Sequence, residues 1–185
     1  MPTPCPNADG SSEKRQRFDE PLPMCIDPTK RYTAELTSSL GAMTIALDAA
    51  GAPRTVNNFV VLARYHYYDG IIFHRIIKGF MCQGGDPTGT GRGGPGFQFA
   101  DELPQPGRYE IGSLAMANAG PDTNGSQFFI VSGPSGCSLP PKYSLFGKVV
   151  KGLDVLAKME AVETDRSDRP REDVVIQSVT VTEAD

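Results

Sequence analysis

The sequence predicts a mainly β fold, an antiparallel barrel or sandwich closed by helical lids. Three observations support this class: many short apolar runs with period-two alternation, two segments with helical periodicity, and turns rich in Gly (20 residues) and Pro (16 residues). With 185 residues the chain is long enough for one domain with a single core. Because no stretch approaches the length of an uninterrupted apolar span, we expect no membrane-crossing segment.

The composition is typical of a globular protein, with 39% hydrophobic and 22% charged residues and a formal net charge of -4. A mildly acidic chain is a poor default binder of DNA or RNA, so nucleic acid is not an expected partner. The N-terminus lacks the basic-then-apolar layout of a secretory signal. We therefore expect a cytoplasmic, monomeric protein.

Residues 1–31 differ from the rest of the chain. They hold 6 of the 16 prolines and five charges of each sign, with little apolar periodicity. This composition predicts a flexible N-terminal tail. Within it "EKRQRF" is open to three interpretations, a solvated charge run (the one we favour), a short helix or a basic address signal. The folded domain is predicted to cover 32–182, with 183–185 as a C-terminal tail.

The domain begins with a predicted hairpin and a helix. Apolar residues alternate with polar ones before and after the turn "SSLGA", which indicates two paired strands. In "APRTVNNFVVLARYHYYDG" Pro53 suits a first helical position. One apolar stripe follows at helical spacing, so this helix should pack against a sheet; its members are Val56, Phe59, Val60, Ala63 and Tyr67.

The remaining elements are shorter. The pattern predicts strands at 71–78, 112–118, 127–132 and 144–150, a second helix in "GLDVLAKMEAV" and a last strand in "DVVIQSVTVT". Glycines dominate 84–96, where "GTGRGG" has the spacing of a dinucleotide-binding loop. Because Pro95 and Gly96 follow instead of a helix, we interpret it as a surface loop that can approach a ligand closely.

The chain has few residues for redox or metal chemistry. Its four cysteines lie at 5, 25, 82 and 137 without a CxxC pair, and it has two histidines. We predict free thiols, no metal and no cofactor. Cys82 lies within the site region described next, so its redox sensitivity is an open question.

Three apolar segments contain polar residues. Alternation in "IIFHRIIKGFMCQGGD" places Arg75 on one face with Phe73, and His74 on the other. The other two segments are "SLAMANAGPDTNGSQFFIVSG" and "LPPKYSLFGKVV". Structural alternatives remain: Arg75 tied to Asp86 or Glu102, His74 as a hydrogen-bonded structural histidine, Gln127 paired with backbone, and the apolar residues as ordinary core.

Taken together, "FHRIIKGFMCQGGDPTGTG", "LAMANAGPDTNGSQFFI" and "FGKVVKGLDVL" resemble the cyclophilin family of peptidyl-prolyl cis-trans isomerases. The resemblance covers roughly residues 32–182. It implies an eight-stranded antiparallel β-barrel capped by two α-helices. It also implies catalysis of Xaa-Pro peptide bond rotation in protein folding, on proline-containing peptides and on unfolded or partly folded proteins.

The resemblance also implies roles for single residues. Arg75 matches the catalytic arginine, and Gln83 and Asn118 match polar groups that hold the substrate backbone; we expect all three to take part in catalysis. The remaining matches are substrate-binding positions: Phe80, Met81, Ala117, Ala119, Gln127, Phe129, Leu139 and Tyr143. The alternatives in other classes are a binding module that holds Pro-containing segments in the same groove, and a nucleotide-dependent enzyme, which the glycine-loop argument disfavours.

One wall of the site departs from the family pattern. Many members carry a tryptophan just before the position of Leu139 and a histidine at the position of Tyr143. This chain has no tryptophan, and Ser138 or Cys137 takes that place. We therefore expect cyclosporin to be a weakened ligand, and we expect catalysis to survive because Tyr143 keeps an aromatic face and a polar tip.

Overall fold

A computed structural model describes residues 1–185, with eight strands and three helices. The strands are β1 (Arg31–Ser38), β2 (Gly41–Leu47), β3 (Arg75–Ile77), β4 (Met81–Gly84), β5 (Ser113–Met116), β6 (Phe128–Val131), β7 (Leu145–Lys151) and β8 (Ile176–Ala184). The helices are α1 (Pro53–Arg64), α2 (Pro134–Cys137) and α3 (Leu153–Glu160). The eight strands confirm the predicted class; α2, a single turn, was not predicted.

All eight strands belong to one antiparallel sheet in the order β3-β4-β6-β5-β7-β2-β1-β8. The two edges of the sheet meet through backbone hydrogen bonds next to the starts of β3 and β8. The Phe73 N–H donates to the Val174 carbonyl at 2.9 Å, and the Ile176 N–H donates to the Ile71 carbonyl at 2.8 Å. These bonds join the two edges and curl the sheet into the expected barrel.

The two faces of the sheet carry different clusters of apolar side chains. Cys82, Phe128 and Ile130 belong to the main core of 36 buried residues. Their strand neighbours Met81 and Phe129 belong to a separate cluster of five on the other face. Because side chains alternate along a strand, β4 and β6 supply both clusters at once. The second, outer cluster supports the site.

Helix α1 covers the main core. Pro53 lies at its start, as predicted, and ten of its twelve residues are buried. No local side chain caps it; instead the distant Glu102 carboxylate accepts hydrogen bonds from the Arg54 and Thr55 N–H groups and from the Thr55 hydroxyl. This use of Glu102 excludes it as the partner of Arg75. None of the three helices is long and apolar enough to span a membrane.

The prediction that residues 1–31 form a flexible tail is wrong. The segment has no helix or strand before Arg31, but it packs along α1 and the Gly-rich loop. Phe18 is only 1% exposed and joins the main core with Ile26. The Phe18 N–H donates to the Pro95 carbonyl at 2.8 Å, and the Arg15 N–H donates to the Tyr65 carbonyl at 2.9 Å. Burial of Phe18 and Ile26 thus helps to offset a composition that otherwise favours disorder.

Two further predictions need correction. Cys5 and Cys25 form a disulfide with a sequence separation of 20, whereas Cys82 and Cys137 are free, as predicted. Phe18, which lies between the two cysteines, anchors the segment to the core, a contact that the sequence pattern did not reveal. At the other terminus β8 reaches Ala184, and Glu183 accepts hydrogen bonds from Lys30 and the Tyr32 hydroxyl. Residues 183–184 are therefore part of the sheet.

Candidate active site

Arg75 lies on the outer face of the sheet, where β3, β4 and β6 bring a row of side chains together. Its cross-strand partner is Gln83, and Gln83 in turn pairs with Phe129. Arg75 is exposed, while the next residue, Ile76, is 2% exposed and joins the main core. An arginine therefore fits in this apolar segment because it points away from the core that its neighbours fill.

The predicted strand 71–78 is shorter than expected, and its alternation breaks. Only Arg75–Ile77 form β3, with a single isolated bridge from Ile72 to Val175. Phe73 and His74 are both buried, at 0% and 8% exposure. The prediction that Arg75 shares a face with Phe73 is therefore wrong, because the chain leaves regular strand geometry between them to close the barrel.

Next to Arg75 lies a pocket of about 140 Å³, roughly the space of four to five water molecules. That volume suits a five-membered ring. Its nine lining residues are all among the eleven that the resemblance implied: Arg75, Phe80, Met81, Gln83, Ala117, Asn118, Phe129, Leu139 and Tyr143. The other two, Ala119 and Gln127, line an adjacent groove.

A chain of hydrogen bonds links Arg75 to the Gly-rich loop. Arg75 Nη1 lies 3.4 Å from Gln83 Oε1, and Gln83 Nε2 donates to Gln127 Oε1 at 3.1 Å. Gln127 Nε2 donates to the carbonyls of Gly91 and Gly93. The alternative that Gln127 pairs with backbone groups is thus correct for its side-chain amide nitrogen. Since both glutamines are held on each side, the guanidinium has a fixed neighbour while its other donors remain available.

The side chain of Asn118 is used inside the protein. Its Nδ2 donates to the Lys142 carbonyl at 2.9 Å, and its Oδ1 accepts from the Gly120 N–H at 3.2 Å. The backbone N–H and carbonyl of Asn118 form no hydrogen bond within the chain. The backbone N–H and carbonyl of Asn118 are therefore available to a peptide in the pocket and groove, in the same way that the open edge of a sheet pairs with an added strand.

Asp86 organises the Gly-rich loop and is not the partner of Arg75. Its carboxylate accepts hydrogen bonds from the N–H groups of Thr88, Gly91 and Gly93. Burial favours protonation, but these bonds outweigh it, so the pKa of Asp86 is lowered. A Cβ at Gly93 would lie 2.0 Å from the Asp86 Oδ1. This close approach explains the glycine there.

Two titratable groups lie buried beside the site. Burial lowers the pKa of His74, and its Nδ1 has no hydrogen-bond partner, so the structural-histidine interpretation was only partly correct. Burial raises the pKa of the Cys82 thiol to about 12. A thiol that stays protonated is a poor nucleophile, which argues against redox sensitivity at Cys82.

The far wall of the pocket is formed by Leu139 and Tyr143. The Tyr143 ring packs edge-on against Phe129, with ring centroids 5.4 Å apart. Tyr109, which sequence reasoning missed, donates its hydroxyl to the Tyr143 carbonyl at 2.6 Å and accepts from the Tyr143 N–H at 3.2 Å. Ser138 is exposed at the end of α2 and does not line the pocket.

Comparison with known proteins agrees with this geometry. The family model described as cyclophilin type peptidyl-prolyl cis-trans isomerase/CLD matches residues 33–181. Human peptidyl-prolyl cis-trans isomerase-like 1 is 51% identical over 145 residues, covering 76% of this chain and 87% of that protein. A peptidyl-prolyl cis-trans isomerase of Arabidopsis thaliana is 48% identical over 145 residues, covering 76% and 88%.

The solved structures include a cyclophilin type isomerase of Cryptosporidium parvum determined in the presence of the dipeptide Ala-Pro. It superposes with a TM-score of 0.77 at 37% identity and covers 81% of this chain and 98% of that one. The match to the family model, the sequence identities and the shared fold all agree. The chain belongs to the cyclophilin family and is a peptidyl-prolyl cis-trans isomerase.

Proposed function

We propose that the enzyme accelerates Xaa-Pro rotation by electrostatic stabilisation of the twisted amide, with no covalent step. The observation that carries this proposal is an arginine without an ion-pair partner beside a pocket lined mostly by apolar residues: none of the ion pairs in the structure involves Arg75. The relative determined with Ala-Pro supports proline-containing peptides as ligands. Unfolded or partly folded proteins are the proposed physiological substrates, and a monomer without cofactor is the proposed working form.

The barrier to this rotation comes from amide resonance and is about 20 kcal/mol. As the peptide twists, the prolyl nitrogen loses conjugation and becomes a hydrogen-bond acceptor. A guanidinium held by Gln83 can donate to that nitrogen in the twisted state more strongly than in the planar one. Lowering the barrier by about 5 kcal/mol corresponds to several thousandfold in rate.

The pocket walls and the groove edge perform the complementary task. Phe80, Met81 and Phe129 hold the pyrrolidine ring, while the free backbone of Asn118 pairs with the flanking peptide. With the ring fixed on one side, rotation is confined to the carbonyl that precedes proline. The Arg75 donor argues for turnover rather than for the binding-module alternative, because holding a peptide needs no donor aimed at the prolyl nitrogen.

The experiment measures kcat/KM for a short Xaa-Pro peptide as a function of pH, with exchange spectroscopy as the method of detection. Because arginine stays protonated throughout, we expect a flat profile between about pH 7 and about pH 9. Circular dichroism at each pH checks that the fold is unchanged. A tenfold change per pH unit would show a proton transfer and contradict the mechanism; absence of turnover would favour the binding module.

A further inference from the structure

A second cavity extends from the proline pocket along the Gly-rich loop. This groove has a volume of about 690 Å³, within the range of ligand-binding clefts. It shares Gln83, Ala117 and Asn118 with the proline pocket. A peptide whose proline occupies the pocket would therefore place a residue near that proline in the groove.

The charge of this groove is opposite to that of the chain. Its 17 lining residues include Arg17 and Arg92 but no aspartate or glutamate, although the protein carries a net charge of -4. Both arginines are exposed, and no ion pair in the structure involves either of them. Asp86 lies behind the loop with its carboxylate occupied by loop N–H groups.

Arg17 reaches the groove because the N-terminal segment is anchored next to it. Phe18 is buried, packs edge-on against Phe97 at 6.2 Å, and hydrogen bonds through its N–H to the Pro95 carbonyl. Gly96 has a φ of +106°, and a Cβ there would lie 2.2 Å from the Phe18 carbonyl oxygen. Arg15 stacks on the Phe18 ring at 4.7 Å. The backbone of Arg17 is therefore fixed at the rim of the groove.

We propose that this groove selects peptides with an acidic side chain within about three residues of the target proline, and that Arg17 with Arg92 provides the selectivity. The proposal rests on the proposed function for the pocket. A carboxylate is the group that suits two unpaired guanidiniums, since each presents a fork of donors. The N-terminal segment thus contributes a specificity-determining residue from outside the barrel.

The test uses the full-length protein and peptides of three alanines, proline and three alanines. One alanine at a time is replaced by glutamate or by the uncharged isostere glutamine. Affinity is measured by calorimetry and turnover by exchange spectroscopy, at low salt of about 20 mM and again at about 500 mM, where screening shortens the reach of exposed charges. The variants are Arg17→Gln with Arg92→Gln, and Arg31→Gln as a control arginine outside the groove.

For at least one position we expect glutamate to bind about fivefold more tightly than glutamine at low salt, from two exposed ion pairs. The preference for glutamate over glutamine should disappear at high salt and in the double variant. It should persist in Arg31→Gln. Equal affinities for the glutamate and glutamine peptides at every position, or a preference that survives the double variant, would overturn the inference. In either case, continued turnover of the glutamine peptides would show that the proposed isomerase function still holds. If the wild-type protein turned over none of the peptides, the proposed function would be contradicted. The measured affinities alone would then decide whether the groove selects acidic peptides.

Discussion

At the residue scale, the role proposed for Arg75 depends on the groups that surround it. Its cross-strand neighbour Gln83 fixes one side, and no carboxylate neutralises it. The motif singled out this residue from the sequence alone, and its catalytic role stays a prediction. Tyr109 escaped prediction because its role depends on a contact with Tyr143, 34 residues away along the chain. Local patterns do not encode such a distant contact.

The position of Ser138 gives a prediction at the same scale. Ser138 is exposed at the end of α2, directly before Leu139 of the pocket wall. We expect Ser138→Trp to tighten cyclosporin binding by about tenfold, since an indole adds apolar area and an N–H donor at that wall. Calorimetry with wild type and Ser135→Trp, one turn earlier, provides the comparison. Equal affinities in all three proteins would contradict the alignment of this segment.

At the scale of elements, the strands and α1 were predictable because their apolar periodicity is regular. The Gly-rich loop was recognised as a loop, but its internal order was not, because that order comes from one carboxylate. Asp86 accepts hydrogen bonds from residues up to seven positions away, and Gln127, the residue before β6, donates to two carbonyls of the loop. Thus the loop that lines the groove is a fixed wall built by side chain–backbone bonds.

His74, which precedes β3, gives this region a pH dependence. Burial lowers its pKa; Asp86 opposes that effect, while Arg169 and Arg75 reinforce it. A histidine with a lowered folded-state pKa stabilises the fold fully above its unfolded pKa of about 6.5. This contribution is lost as the pH falls from that value through the folded-state pKa.

We therefore expect the free energy of unfolding to fall between about pH 7 and about pH 5, and to fall less in His74→Gln. Denaturant titrations at several pH values would measure both. His66→Gln is the control, because His66 is partly exposed and hydrogen bonds through both ring nitrogens. Identical pH dependence in wild type and His74→Gln would contradict the assignment.

At the scale of the whole molecule, the N-terminal segment is part of the domain and not an appendage. Composition alone predicted disorder, since prolines and charges dominate it. The structure departs from that expectation because Phe18, Ile26 and the Cys5–Cys25 bridge act together. A disulfide persists in oxidising surroundings, so the cytoplasmic location, which stays a prediction, would leave these thiols reduced.

Removal of the bridge tests how much it stabilises the segment. For a sequence separation of 20 between the cysteines, we expect Cys5→Ser with Cys25→Ser to lower the free energy of unfolding by about 3 kcal/mol. Denaturant unfolding under oxidising conditions measures the loss, and Cys137→Ser, a free and partly buried cysteine, is the control. Unchanged stability in the double variant would show that Phe18 and Ile26 hold the segment without the bridge.

The central claim is that the Arg75 guanidinium stabilises the twisted amide. Its most direct test is exchange spectroscopy on an Xaa-Pro peptide with wild type, Arg75→Ala and Arg75→Lys, with the Kd measured separately. We predict that Arg75→Ala lowers kcat by about a hundredfold to a thousandfold while the Kd and the unfolding midpoint change little, and that lysine restores only part of the rate. Wild-type turnover by a folded Arg75→Ala variant would contradict the account.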